Sequence, residues 1–301
     1  MKQILLAAVI LFGASLNAAG DFAGDFQAAK KLFNERQYEA AHEAFVKLAE
    51  TAPNPRGKAP SLSYAAISLG RFERYDDAMT LAKTIESAPM AAYTQMTIMD
   101  EGRKFTELAE AFKDEDIAAW PDAINYQGFF MRARARNIAR DREGALSDYA
   151  QCAALAGSDD RKKLEATTHA AALHHALGDA ARAMIMYRDV LAVFEKEPRR
   201  KGMWLFPHTL LGAAGILLEQ KKYDEALALL ATYELKPEKE KRNVWDFRVL
   251  EARGDACAGQ GKKAEALAAY REALEIQTHE SYIRRLEQKA AELEGGKGEP
   301  Q

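Results

Sequence analysis

The stretch Tyr223-Asp224-Glu225-Ala226, followed four residues later by Leu230, carries the pattern that decides the fold. A bulky residue precedes two polar positions and a small residue, and the small residue shares a helix face with the apolar residue one turn on. The pattern recurs seven times, centred on Ala41, Ala78, Leu108, Ala145, Ala183, Ala226 and Ala266. An average spacing of about 38 residues indicates a repeat protein built from small helical units.

A second helical segment precedes each occurrence by about a dozen residues. Its central residues are Ala29, Ala66, Met96, Ala133, Ala171, Ala214 and Gly254. All of these except Met96 are small, and small residues at a crossing let two helices approach closely. A single helix pair cannot bury its apolar face, so the pattern predicts that successive pairs stack.

These features resemble the tetratricopeptide repeat family, which has 34-residue helix-turn-helix units with small and aromatic residues at fixed positions. The first unit shows the resemblance well through Ala29, Tyr38, Ala41 and Phe45. The resemblance extends over residues 22–294 and implies an all-α, TPR-like α-solenoid of about seven helix-turn-helix units. It also implies a general interaction scaffold, because the fold alone does not specify an activity.

The expected units follow from the spacing of these central residues. They lie near 22–55, 59–89, 90–119, 122–157, 160–197, 204–237 and 243–277. Residues 278–294 predict one more amphipathic helix, which would cap the last unit. Residues 295–301 are rich in glycine, and we expect them to be disordered.

The first 19 residues have the three parts of a secretory signal peptide. Lys2 is basic, residues 4–12 are apolar and uncharged, and small residues lead to Ala18 and Ala19. The apolar run is shorter than the roughly 20 residues of a membrane-spanning helix, and no Cys follows it for lipid attachment. The sequence therefore predicts cleavage after Ala18 or Ala19 and a secreted or periplasmic protein with no membrane span; an uncleaved anchor is the alternative.

Composition narrows the class of protein further. The 301 residues are 48% hydrophobic and carry 42 Lys and Arg against 45 Asp and Glu, which indicates a folded chain with no general basic surface for nucleic acid. Cys152 and Cys257 are the only cysteines, too few for a disulfide framework. Three units of stacked helices would separate them by roughly 25 Å, so we expect both thiols to be free and buried.

The sequence contains no recognisable catalytic motif. His169, His174 and His175 are five and six residues apart on a helix, so they do not converge as metal ligands four residues apart would. The glycines lie in helical runs rather than in a phosphate-binding loop. We predict no catalytic, cofactor-binding or metal-binding residue, although carboxylates distant in sequence can meet in space and leave a paired-carboxylate enzyme open.

Arg132, Arg136 and Arg140 are four residues apart and form one stripe on a helix. One interpretation is a contact for an anion or an acidic peptide, which guanidinium groups bind in a bidentate manner. The other is pairing with acidic neighbours in 114–116 and 159–160, with the aliphatic stems packed between helices. The second is favoured, because the family normally has a packing residue where Arg136 falls.

The resemblance also implies where a partner would bind, since the first helix of each unit lines the concave side in this family. Positions one residue after each small residue, and three or four residues to either side, would then face inward. In the middle units these are Phe130, Arg134, Asn137, Thr168, Ala172, His175, Leu211, Gly215 and Leu218. We predict that Phe130, Arg134, Asn137, His175, Leu211 and Leu218 bind a peptide; alternatively, Phe130 and Leu211 pack within the stack.

Two functional hypotheses follow. The first is a non-enzymatic scaffold that binds a protein or peptide, of unidentified sequence, along its concave face. The second is an all-α enzyme or sugar-binding protein whose helical pairs close into a ring.

Overall fold

The computed structural model describes residues 21–276 and 279–295, and within these ranges the chain forms fifteen α-helices and no β-strand. The helices are α1 Phe22–Asn34, α2 Tyr38–Thr51, α3 Pro55–Arg71, α4 Tyr75–Lys83, α5 Ala88–Glu101, α6 Phe105–Ala111, α7 Asp122–Ile138, α8 Arg142–Leu155, α9 Asp160–Ala176, α10 Ala180–Lys196, α11 Leu205–Glu219, α12 Tyr223–Leu230, α13 Val244–Gly259, α14 Lys263–Leu274 and α15 Glu280–Gly295. Seven helix pairs are thus followed by a capping helix, which confirms the predicted fold class.

The predicted signal peptide, residues 1–19, lies outside the described residues. So does the predicted tail except for Gly295, which ends α15 instead of beginning a disordered segment. The helices α3 and α5 begin at Pro55 and Ala88, a few residues ahead of the expected unit starts at 59 and 90. Proline is favoured in the first turn of a helix, where its missing N–H costs nothing, so these prolines start helices instead of only following them.

The chain divides into two compact units, residues 1–140 and 141–301. The N-terminal unit contains α1 to α7, and the C-terminal unit contains α8 to α15. Within each, consecutive helices pack against one another, as in α2 with α3 and α13 with α14.

The turn inside every helix pair contains one residue with a left-handed backbone, two positions before the second helix. These residues are Arg36, Glu73, Arg103, Arg140, Gly178, Lys221 and Gly261, with φ between 56° and 89°. Only two are glycine, so the other five adopt a backbone that L-residues disfavour by about 1–2 kcal/mol. A residue with the same left-handed backbone therefore precedes the second helix at all seven places.

The predicted small residues occupy the helix crossings. The seven second-helix residues Ala41, Ala78, Leu108, Ala145, Ala183, Ala226 and Ala266 are all 0% exposed. In the first helix of the seventh pair, a Cβ added at Gly254 would lie 2.2 Å from Tyr270, so this aromatic ring requires glycine opposite it. The helix phase deduced from the small residues is confirmed.

Both cysteines lie in the packed interior of the protein. Cys152 and Cys257 are buried and form no disulfide, as predicted, and burial raises the pKa of both thiols. Within residues 21–276 and 279–295, no helix combines the length and apolar character needed to cross a bilayer.

Candidate interaction site

An open groove in the C-terminal unit is bounded by α11, α13 and α15. It contains roughly 980 Å³ of non-protein space, part of which is open solvent. The lining residues are Leu211, Gly215 and Leu218 of α11, Arg248, Glu251, Ala252 and Asp255 of α13, and Tyr282, Arg285 and Lys289 of α15. We call this the inner groove; α11 and α13 are the first helices of the last two pairs.

One wall of the inner groove is apolar and reaches the helix backbone. Leu211 and Leu218 are half-buried and pack against the core of the C-terminal unit. Between them lies Gly215, where an added Cβ would meet no atom within 4 Å. At Gly212, three residues earlier, the same Cβ would lie 2.4 Å from the Tyr187 ring. Gly212 therefore packs inside the protein, whereas Gly215 leaves the groove open.

The opposite side of the groove is ionic. Glu251 accepts hydrogen bonds from Arg285 at 2.9 and 2.5 Å and from the Lys289 ammonium at 2.9 Å. Lys289 also donates to Asp255 at 2.8 and 2.7 Å, and the Tyr270 hydroxyl donates to Asp255 at 2.7 Å. Burial alone would raise the pKa of Glu251, but the hydrogen bonds from Arg285 and Lys289 lower it below its ordinary value. Both carboxylates are therefore committed to cations of α15.

Arg248 is the cation at the rim of the groove that has no carboxylate partner among the described residues. It is exposed, and its guanidinium carbon lies 5.7 Å from the centroid of the Trp245 ring. The lining as a whole has three cationic and two anionic side chains. The groove consequently favours a ligand with a negative charge near Arg248 and an apolar group near α11.

The residues predicted to bind a peptide fall in both compact units. In the C-terminal unit, Leu211, Gly215 and Leu218 line the inner groove, and the His175 ring lies 2.8 Å from a carboxylate oxygen of Glu219. Thr168 was predicted to face inward, which is wrong: it is fully buried and its hydroxyl is 3.0 Å from that of Thr209.

The other predicted residues, Phe130, Arg134 and Asn137, belong to α7 of the N-terminal unit. The Phe130 ring stacks on Tyr126 with centroids 6.1 Å apart, and Asn137 is exposed. Arg134 lies 2.8 Å from the Asp100 carboxylate. Burial raises the pKa of Asp100 while Arg134 opposes this effect. The charge of Arg134 is therefore already paired.

Arg132 and Arg136 of the predicted arginine stripe lie on α7 and make internal contacts, but Arg140 does not continue the stripe, because α7 ends at Ile138 and Arg140 lies in the following turn with φ 72°. Arg132 is 7% exposed and donates to the backbone carbonyls of Phe112 and Glu115 at 3.2 and 2.7 Å. Arg136 donates to the Lys113 carbonyl at 2.8 Å. The structure favours the internal interpretation of the stripe, with these carbonyls that follow α6 among its partners.

Five charged residues of the groove were not among the predicted site residues: Arg248, Glu251, Asp255, Arg285 and Lys289. Applying the same phase rule to Gly254 would have placed Glu251 and Asp255 on the inner face. The α15 pair had no such signal, because this helix was expected only to cap the stack. Among the described residues, no group of three His, Cys, Asp or Glu side chains could hold a metal ion.

Comparison with known proteins points to the same architecture. The family described as Tetratricopeptide repeat-like domain matches residues 205–295, the segment that contains all three groove helices. No protein of curated function matches the sequence.

Two solved structures are similar in fold. A tetratricopeptide repeat protein from Parabacteroides merdae ATCC 43184 superposes with a TM-score of 0.54 at 12% identity, covering 89% of this chain and 98% of that one. The C-terminal part of a TPR repeat-containing protein from Cytophaga hutchinsonii gives 0.50 at 15% identity, covering 86% and 98%. At these identities the likeness concerns the fold alone.

Proposed function

We propose that this chain is a protein of the tetratricopeptide repeat type and acts as a non-enzymatic scaffold that binds a protein segment in the inner groove. The observation that carries the proposal is the groove itself, in which an apolar wall and an open glycine adjoin Arg248, which has no carboxylate partner among the described residues. Tetratricopeptide-like folds are interaction scaffolds in general, and the groove supplies a place for the interaction.

An extended peptide suits this groove better than a compact small molecule. Its backbone can approach α11 at Gly215, its apolar side chains can contact Leu211 and Leu218, and an acidic group can reach Arg248. Such a ligand matches the general make-up of binding sites, with apolar contacts for affinity and few polar groups for orientation.

The charges of the groove support binding over acid–base catalysis. A general acid needs a carboxyl group whose pKa is raised toward neutrality. Glu251 has a lowered pKa, and Lys289 binds both Glu251 and Asp255. We place this activity in the periplasm or outside the cell, on the basis of the signal-peptide pattern in residues 1–19.

The test is a crosslinking capture from the native envelope with a groove-filling variant. Gly215→Phe adds a side chain where no protein atom lies within 4 Å, so the groove is filled while the fold is kept. Gly202→Phe is the matched control, because Gly202 is equally open but lies in the 3-10 turn before α11. We expect Gly215→Phe to lose the captured partner and Gly202→Phe to keep it. Capture that survives in a folded Gly215→Phe protein would exclude the inner groove.

The location is tested separately. N-terminal sequencing of the exported protein should begin at Ala19 or Gly20. Recovery of intact Met1-Lys2 from the membrane fraction would contradict export by cleavage.

A further inference from the structure

Four aromatic rings lie side by side at the N-terminal ends of α11 and α13 and on the neighbouring α9. The ring of His208 is central, with centroids 5.6 Å from His169, 5.9 Å from Trp204 and 6.1 Å from Trp245. His169, His208 and Trp245 are partly buried, and Trp204 is 38% exposed. We call these four residues the aromatic ridge; it adjoins the inner groove at Arg248.

The local backbone holds the two indoles in place. Trp245 is in the first turn of α13, where its backbone N–H donates to the Asn243 side chain at 2.8 Å. The buried side chain of Asp246 accepts in turn from the backbone N–H of Asn243 at 2.9 Å. Trp204 directly precedes α11, and His169 stacks on Tyr149 with centroids 5.3 Å apart. A ligand that binds rings fixed in this way loses little free energy in ordering them.

The indole N–H groups of the ridge are free to donate to a ligand. Within the part of the chain that the structure describes, neither Trp204 nor Trp245 uses its indole N–H in a hydrogen bond. The contrast is Trp120 of the N-terminal unit, which is 4% exposed and donates its indole N–H to Glu115 at 3.1 Å. Tryptophan N–H groups at binding surfaces normally meet an acceptor, such as a backbone carbonyl.

The positive charge of Arg248 beside the ridge favours an acidic ligand. Arg248 lies against the Trp245 ring and has no carboxylate partner in residues 21–276 and 279–295. Partial burial, together with the nearby Arg248, lowers the pKa of His208, which favours the neutral form of the central ring. Arg248 supplies a positive charge next to the ridge, and it favours an acidic group on the ligand.

A polyproline II segment has the properties that these groups require. It has no internal hydrogen bonds, so its carbonyls are free to accept from the two indoles. The two ring contacts through His208, 5.9 and 6.1 Å long, keep the indole centroids within about 12 Å of each other. Every third residue of the segment lies about 9 Å along its axis, so two prolines of one segment can reach both indoles. Aromatic-lined surfaces bind such segments because the extended conformation is already formed in the free peptide.

We infer that the aromatic ridge binds a proline-rich segment that has an acidic residue beside its prolines. The inference rests on the proposed function only in taking the chain as a protein-binding scaffold; the ridge and the inner groove are separate surfaces that meet at Arg248.

Tryptophan fluorescence tests the inference, because two of the three tryptophans belong to the ridge. The probe is a synthetic nonapeptide of three Pro-Pro-Glu triplets, and the controls are Pro-Pro-Lys and Gly-Ser-Glu triplets of the same length. We expect a saturable change in emission with the first peptide and at least tenfold weaker binding of both controls. A Trp204→Phe/Trp245→Phe protein retains only Trp120, and its emission should not respond.

Single substitutions then measure how much each indole N–H and Arg248 contribute to peptide binding. Trp204→Phe and Trp245→Phe each keep a ring and remove one N–H donor, so each should weaken binding about fivefold. Arg248→Glu should reverse the charge preference, so that the Lys peptide binds more tightly than the Glu peptide. Arg188→Glu is the matched control, because Arg188 is exposed on α10, a helix that carries none of the four ridge residues, and it should leave the preference unchanged.

Several results would overturn the inference. They are equal binding of all three peptides, a charge preference that survives Arg248→Glu in a folded protein, and an emission change with maltohexaose or cellohexaose but with none of the peptides. Gly215→Phe should leave the Pro-Pro-Glu peptide bound. If none of the peptides binds but partner capture is still lost in Gly215→Phe, the inference about the ridge is wrong and the proposal for the inner groove stands.

Discussion

The arginines of α7 and Arg248 of α13 are the same residue type on first helices of two repeats, yet their surroundings differ. Arg132 and Arg136 bind backbone carbonyls between α6 and α7, and Arg134 binds Asp100. Arg248 lies against an aromatic ring and has no carboxylate partner among the described residues. Arg132, Arg134 and Arg136, the centre of the most conspicuous charge run in the sequence, are therefore held by internal contacts, whereas the isolated Arg248 has no such partner among the described residues.

The reason lies in the short α6, which spans only Phe105–Ala111. The last carbonyls of any helix lack partners within the helix, and here the chain turns away through residues 112–119 before α7 begins. Arg132 and Arg136 supply donors to that segment. The degenerate third repeat is thus completed by arginines of the following helix.

The largest expected loss of stability distinguishes the buried Arg132 from the exposed Arg248. Arg132→Met should lower the free energy of unfolding by about 2–3 kcal/mol, because two carbonyls lose a charged donor that is itself buried. Arg248→Met should change it by less than about 0.5 kcal/mol, as an exposed side chain with no ion pair. Urea denaturation of both variants measures the difference, and equal losses would contradict the distinction.

The same comparison of contacted and open positions can be made with glycines on α11. Gly212→Ala should destabilise the protein by about 1–3 kcal/mol, because the new Cβ would lie 2.4 Å from Tyr187. Gly215→Ala should stabilise it by about 0.5–1 kcal/mol, since alanine favours the helix and meets no neighbour. Thermal melts of the two variants should shift in opposite directions; shifts of the same sign would show that Gly215 is packed.

Much of the fold could be predicted from sequence because one physical constraint repeats. Close crossings need small residues, and the 3.6-residue helical period then fixes which residues face inward, as Leu211 and Leu218 show. The left-handed turns were less visible, since only Gly178 and Gly261 among the seven are glycine.

The charged part of the groove and the aromatic ridge could not be predicted in the same way. Arg285 and Lys289 lie on α15, which has no small central residue to set its phase. Trp204 and Trp245 are far in sequence from the small residues of their helices, and both contact His208 only because the N-terminal ends of α11 and α13 are adjacent. Arg132 binds backbone carbonyls, which every residue has, so no pattern of side chains in the sequence identifies these partners.

The stability that two carboxylates, Glu251 and Asp100, give to the fold should depend on pH in opposite ways. In the folded state the pKa of Glu251 is lowered, so its ionised form adds stability above the ordinary pKa, and this is lost as the pH falls through the folded pKa. The pKa of Asp100 is raised mainly by burial, so its ionised form destabilises the folded state, and acidification relieves that cost.

The corresponding variants should therefore have opposite pH slopes. Glu251→Gln should be less stable than wild type by about 1–2 kcal/mol at pH 7, and the deficit should shrink toward pH 3. Asp100→Asn should lose stability relative to wild type as the pH falls over the same range. Urea titrations at several pH values measure both slopes, and parallel slopes would refute the assigned pKa directions.

Among the α7 arginines, the smallest loss of stability is expected at Arg136. Its replacement tests whether burial or mere position in the charge run decides how much an arginine stabilises the fold. Arg136 is only half-buried, and water can replace its hydrogen bond to the Lys113 carbonyl, so Arg136→Met should cost about 0.5 kcal/mol. Since Arg132 and Arg136 both hold residues 112–115, their effects should not be independent. We expect the double variant to lose more stability than the two single losses together, because either arginine alone still keeps this segment against α7. Strict additivity in urea denaturation would instead show that each arginine stabilises its own carbonyl and that the segment does not respond as one element.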